Sequence, residues 1–125
     1  MTGRRPKVFF EVRYPNLLGA GAKSIVNDVI KYAGGTNCVT ANKKLVRLDM
    51  ESLLACNPDL YVIQRGPMNR NPTPLALRPH FQLLDAVKAG RVLHVDEQVF
   101  SRPGPRSVDA VEELARALHT AVAAK

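Results

Sequence analysis

Asp49-Met50-Glu51-Ser52-Leu53-Leu54-Ala55-Cys56-Asn57-Pro58-Asp59-Leu60-Tyr61-Val62-Ile63-Gln64 reads as a helix that delivers the chain into a buried strand. Asp49 is placed to cap the helix, and Leu48 and Leu53 stand at the two positions of a hydrophobic staple. Met50, Leu53 and Leu54 face inward on one helical side. Asn57-Pro58 ends the helix, because a residue before proline is pushed out of the helical region. Asp59 to Gln64 is short, branched and aromatic without polar alternation, the pattern of a strand covered on both faces.

The same alternation extends outward. Upstream, Lys7-Val8-Phe9-Phe10-Glu11-Val12 is a second buried strand. A loop from Arg13 to Lys23 follows, with Pro15, Gly19 and Gly21. Ser24 then caps a helix whose apolar face is Ile25, Val26, Val29, Ile30 and Ala33, stopped by Gly34-Gly35. Downstream come a loop from Arg65 to Pro74, a short helix from Phe81 to Ala89 ending at Gly90, and a strand from Arg91 to Asp96. A loop from Glu97 to Pro105 leads to a terminal helix opened by Ser107, with Val108, Val111, Leu114, Ala115, Leu118 and Val122 as its apolar face. Strands alternating with helices predict parallel pairing through right-handed crossovers. The expected fold is a three-layer, Rossmann-like α/β lobe spanning residues 1–125, with a mostly parallel sheet and helices on both faces. Val8, Phe10, Val62, Ile63, Val92 and Val95 are expected to be buried. In such sheets ligands bind beyond the carboxyl ends of the strands. The three long Pro/Gly-rich loops leave those ends, so one face is the candidate functional surface.

Composition narrows the function. At 125 residues the chain suits one core, and an apolar fraction of 46% is that of an ordinary globular protein. No apolar run approaches a membrane span, and no secretory signal opens the chain, which leaves a cytoplasmic protein, a mature fragment or a cloned piece. The net charge of +7 raises nucleic acid as a partner, but the cations are scattered and aromatics make up 6% with no Trp. No nucleic-acid partner is expected. Cys38 and Cys56 form no CxxC motif. Cys56 continues an apolar helical face, so two buried free thiols are expected, with a disulfide as the alternative in an oxidising compartment. His80, His94 and His119 fall on a loop, a strand and a helix without metal-ligand spacing. Ser101 has no G-x-S-x-G elbow, and Gly19 to Ser24 misses the phosphate-loop spacing. No enzyme, metal site or cofactor is expected.

Several stretches, in order, resemble the C-terminal lobe of the cobalamin and ferric-siderophore binding proteins of ABC importers. They are Ser24 to Ile30 running into Ala33-Gly34-Gly35-Thr36-Asn37, and Asp49 to Leu54 followed by Asn57-Pro58-Asp59. Ala86-Val87-Lys88-Ala89-Gly90-Arg91-Val92 and Arg102-Pro103-Gly104-Pro105-Arg106 complete the set. The resemblance covers about residues 7 to 119. It implies a solute-binding component for an iron-siderophore, haem or cobalamin, periplasmic or otherwise extracytoplasmic, and lipid-anchored in a Gram-positive host. It also implies a first lobe and a connecting helix that this chain lacks, so the lobe by itself is expected to bind ligand weakly or not at all.

For the site, the resemblance implies that Glu51 meets arginines of the membrane permease, although the helix dipole also favours a carboxylate there. Arg102 matches a position where a ligand-contacting arginine occurs. Arg13, Arg65 and Arg70 share its predicted face and would attract an anionic ligand. Tyr14, Leu17, Leu18, Met68 and Phe100 are candidates for an apolar wall, with packing of Leu17 and Leu18 under the loop as the equal alternative. Gln98 and Leu45 occupy places where cobalamin-binding relatives use polar and aromatic contacts, and neither is the residue type found there. The expected ligand set is therefore Arg13, Tyr14, Arg65, Met68, Gln98, Phe100 and Arg102. The alternative is a free-standing single-lobe interaction protein that dimerises weakly, or binds a partner, through the same loop face.

Overall fold

Branched and aromatic residues place the chain's centre at β1 (Lys7–Arg13), where Val8, Phe9 and Phe10 are fully buried. The computed structural model describes residues 5–14, 16–66, 69–70, 73–96 and 107–123. After β1 come β2 (Leu18–Ala20), α1 (Ile25–Tyr32), β3 (Thr36–Asn37), β4 (Leu45–Arg47), α2 (Met50–Cys56) and β5 (Leu60–Arg65). Two 3₁₀ turns, Leu75–Leu77 and Phe81–Leu83, lead to α3 (Asp85–Lys88), β6 (Val92–Asp96) and α4 (Ser107–Ala123).

The sheet runs β4-β2-β1-β5-β6, with β3 beside the start of β1. The three expected strands pair in parallel: Val8 to Glu11 lie opposite Leu60 to Ile63, and Tyr61 to Arg65 opposite Val92 to Asp96. The segment from Arg13 to Lys23, expected as a loop, instead turns β2 back antiparallel to β1, and β4 extends that antiparallel edge. Both strands are three residues long, too short to show a two-residue period.

Helices cover both faces. On one, Val8, Phe10, Val12, Leu60, Val62 and Val95 pack with α1 and α4. On the other, Phe9, Tyr61 and Ile63 pack with Leu53 of α2 and with Phe81, Leu84 and Ala86. Of the expected core, Val92 is only half-buried, because β6 ends the sheet. Val108 is 65% exposed, and α4 buries Ala110, Leu114, Leu118 and Ala121 instead. The small alanines, not the first valine, mark its inner stripe. The side chain of Val122 lies outside the described residues.

The capping residues act as expected. The Ser24 hydroxyl accepts from the Val26 N–H, and the Asp49 carboxylate accepts from the Ser52 N–H at 2.8 Å. Gly34, at φ +100°, lets the N–H groups of Gly34 and Gly35 close back on the carbonyls of Lys31 and Ile30. Asn57 takes the left-handed conformation at the end of α2, and its side chain bonds both the backbone N–H and the carboxylate of Asp85. Asp59 then accepts from the Lys7 N–H, docking β5 on β1. Asn-Pro-Asp is thus a joint between α2, α3 and the sheet. Asn37 is another: its amide donates to the Ala20 carbonyl and to Asn27, and its oxygen accepts from the Val39 N–H.

One expectation is corrected outright. Cys38 and Cys56 form a disulfide, with Cα atoms 5.9 Å apart. The Cys38 N–H donates to the Val8 carbonyl, which places Cys38 against β1, while α2 ends at Cys56 on the same face of the sheet. Without β3 in view, nothing in the sequence brings the two sulfurs together.

Candidate functional site

The parallel register sets the site. Glu11 lies opposite Ile63 and Arg65 opposite Asp96, so Arg13, Arg65 and Asp96 end three neighbouring strands at one edge of the sheet. Alternation puts Arg65 and His94 on the same face as Ile63 and Tyr61. There a groove of about 330 Å³ opens, floored by Ile63, Leu75, Val87 and Val92 and flanked by Arg65, Pro74 and His94. A smaller hollow, bounded by Arg65, His94, Val95 and Asp96, continues it to the strand ends. Partial burial, with the Arg65 cation beside it, holds the His94 imidazole below its usual pKa.

Beneath this edge lies a polar cluster that the sequence reading did not single out. Glu11 and Arg78 form an ion pair with both side chains fully buried. Arg78 donates to both carboxylate oxygens, at 2.5 and 3.1 Å. The Tyr61 hydroxyl and the Asn69 amide donate to the same carboxylate at 2.7 and 3.0 Å. Burial, followed by the Glu11 charge, pushes the Tyr61 phenol well above its ordinary pKa. The Arg78 guanidinium lies 3.7 Å from the Tyr14 ring centroid and 5.0 Å from that of Phe81. Its Nε donates to the Thr73 carbonyl, and Asn69 also bonds the Gln64 carbonyl and the Tyr14 N–H. The cluster therefore pins the start of the Arg13 turn and both ends of the segment from Gln64 to Arg78. The signal in the sequence was Glu11 itself, a carboxylate within an apolar strand, which a covered sheet admits only with a partner.

The expected site residues divide as follows. Arg13, Tyr14 and Arg65 come together at the carboxyl edge. Arg13 is half-buried, and its Nε is covered without a hydrogen bond among the described residues. Tyr14 is half-buried against Phe81, and Arg65 and Arg70 are exposed. Leu17 is buried and Leu18 packs on the α1 side, so neither lines an open wall. Met68, Gln98, Phe100 and Arg102 lie outside the described residues. Leu45 is on the β4 edge, away from these strand ends. Glu51 is exposed in the first turn of α2. The Leu48 N–H bonds the Leu17 carbonyl just beyond the β1 turn, so Glu51 stands at the same end of the sheet as Arg13. His80 and His119 are exposed and remote from any cluster of metal ligands among the described residues.

No family model matches the chain. An uncharacterized ABC transporter substrate-binding lipoprotein, YvrC of Bacillus subtilis (strain 168), is 28% identical over 113 residues, which are 90% of this chain and 35% of that protein. Among solved structures, the periplasmic haem-binding protein BhuT in complex with two haems matches with a TM-score of 0.83 and 28% identity, over 95% of this chain and 46% of that one. The periplasmic vitamin B12 binding protein BtuF of Vibrio cholerae shares the fold, with a TM-score of 0.77 at 18% identity over 97% of this chain and 47% of that one. The chain is thus similar, over nearly its whole length, to a single lobe of an ABC transporter substrate-binding lipoprotein and of a periplasmic haem-binding protein. It spans about a third of the curated relative and about half of each of these solved structures. All three of these relatives are named as binding proteins.

Proposed function

We propose that the chain is the C-terminal lobe of a solute-binding component of an ABC importer for haem, an iron-siderophore or cobalamin. Its ligand is taken up at the carboxyl edge of the sheet, against a first lobe. The observation that carries this reading is the convergence of Arg13, Tyr14 and Arg65 at the ends of two neighbouring parallel strands, beside Asp96 at the end of a third, where open α/β sheets hold ligands. The covered Arg13 Nε–H has no acceptor among the described residues, and the exposed Arg65 cation suits a carboxylate or another anionic group. Met68, Gln98, Phe100 and Arg102 complete the ligand set in this reading, and Glu51 meets the permease. The disulfide fits an oxidising compartment outside the cytoplasmic membrane. Among the described residues no helix is long and apolar enough to cross a membrane.

The test is amide chemical-shift mapping of the chain titrated separately with haemin, a ferric hydroxamate and cyanocobalamin. One of the three should shift Arg13, Tyr14 and Arg65 together, weakly, and Arg65→Gln should remove the response. Shifts centred elsewhere, or none with any of the three in a two-lobed receptor carrying this lobe, would overturn the assignment.

A further inference from the structure

Between Glu11 and Asp49 the chain holds one carboxylate, Asp28, against six cations: Arg13, Lys23, Lys31, Lys43, Lys44 and Arg47. The fold gathers four of these at one corner. Gly21 donates to the Lys44 carbonyl, Ala22 to that of Ala41 and Lys23 to that of Lys43, so residues 21–23 and 41–44 run backbone against backbone. Gly21 makes this possible, since a Cβ there would meet the Lys43 carbonyl oxygen at 2.1 Å. Lys23, Lys43 and Lys44 are thereby set side by side and exposed, with exposed Arg47 further along β4, the edge strand. Among them Leu45 is 40% exposed.

Lysines commonly guard an edge strand against pairing. That purpose accounts neither for Lys23, which lies off the strand, nor for an apolar side chain exposed at the centre. A polyanion alone would be met by the cations and would leave Leu45 without a use. Cations around an exposed leucine match the boundary of an anionic bilayer, where phosphate headgroups meet acyl chains.

We infer that the β4 corner, Lys23, Lys43, Lys44 and Arg47 around Leu45, docks on an anionic phospholipid surface. This goes beyond solute binding: the corner lies on the opposite edge of the sheet from the Arg65–His94 groove, and of its residues Arg47 alone reaches the carboxyl end that holds Arg13. The contact is reversible, and it weakens with salt as screening shortens the reach of the cations.

The experiment is co-sedimentation of the full chain with vesicles of phosphatidylcholine alone and of equal parts phosphatidylcholine and phosphatidylglycerol. Binding is expected only to the anionic vesicles. Each cation at such a surface is worth about fivefold in partitioning, so Lys43→Glu with Lys44→Glu should lose at least about 25-fold. Lys88→Glu with Arg116→Glu makes the same change in net charge away from this corner and should matter much less. Leu45→Asn, which leaves the charge untouched, should also weaken binding. Thermal melts matching the parent certify each variant, and Lys23→Gln with Arg47→Gln repeats the test should the lysine pair fail to fold. Equal losses from both charge-reversed pairs would overturn the inference, as would indifference to Leu45→Asn or binding to soluble heparin but not to vesicles. The solute titrations above are scored separately and stand or fall without it.

Discussion

Glu11→Ala should be among the most damaging single substitutions in this lobe. It would leave the Arg78 guanidinium fully buried, with one hydrogen bond, to the Thr73 carbonyl, and two aromatic rings among the described residues. It would also deprive the Tyr61 hydroxyl of its acceptor, while Asn69 keeps the Gln64 carbonyl. Removing one partner of a buried pair costs about 3–5 kcal/mol. The upper half of that range is expected here, because four hydrogen bonds converge on this one carboxylate. Arg78→Met is milder, since Glu11 would keep the Tyr61 and Asn69 donors; a loss near the lower end of the range is expected. With a domain stability on the order of 10 kcal/mol, Glu11→Ala removes a third or more of the total. Urea unfolding followed by circular dichroism reads this directly. At a slope of about 2 kcal/mol per molar, the midpoint should fall by roughly 2 M for Glu11→Ala. The double variant should cost less than the sum of the two single ones. A Glu11→Ala midpoint within about 0.5 M of the parent, or a larger loss for Arg78→Met, would refute the reasoning.

Opening the disulfide, whose cysteines are 18 residues apart, should cost about 3 kcal/mol by the chain-entropy argument. Cys38→Ser with Cys56→Ser, compared with the parent in unfolding titrations with and without reductant, checks this, and a parent indifferent to reductant would contradict it. Because burial and Arg65 depress the His94 pKa, the unfolded chain takes up this proton more readily. Stability from this source is therefore complete above about pH 6.5 and is lost as pH falls from there through the folded pKa. Arg65→Gln should raise the His94 pKa in an NMR titration, and an unchanged value would remove Arg65 as a cause. In the complete receptor, Glu51→Ala should reduce permease docking and uptake, leaving ligand binding and the lobe's melting temperature unchanged. Unaltered uptake would reduce Glu51 to a favourable first-turn carboxylate.

The parts legible in the sequence were those whose cause is local. The caps at Ser24 and Asp49, the stop at Gly34 and the helix end at Asn57 depend on residues within four positions of one another, whereas the bonds from Asn57 to Asp85 do not. All four act as read. β1 and β5 were legible because each is a run of branched and aromatic residues long enough to need cover on both sides, and β6 because its branched residues stand between Gly90 and a Pro/Gly-rich stretch. β2, β3 and β4 were missed because two or three residues carry no period, and only pairing with β1 and with each other makes them strands. Leu17 and Leu18 follow the second of their two readings, packing under the loop, because the expected open loop is a hairpin that turns them inward. Val108 was misplaced because the inner stripe of α4 is partly alanine, which hydrophobicity alone underweights. The Glu11–Arg78 pair spans 67 residues and the disulfide 18, and no local rule reaches across either gap.

The Cys38–Cys56 bond has a further consequence for how the chain breaks. It closes a covalent ring around residues 39–55, and that ring contains β4, Glu51 and the exposed Lys43 and Lys44. A trypsin-like protease cutting after either lysine would open the ring without dividing the molecule, since sulfur still joins the two pieces. On a non-reducing gel the nicked chain would run as one species, and only reduction would separate it into two. Until then the Asp49 cap and the staple of α2 stay docked, so Glu51 keeps its place at the sheet's edge even in a molecule that has already been cut.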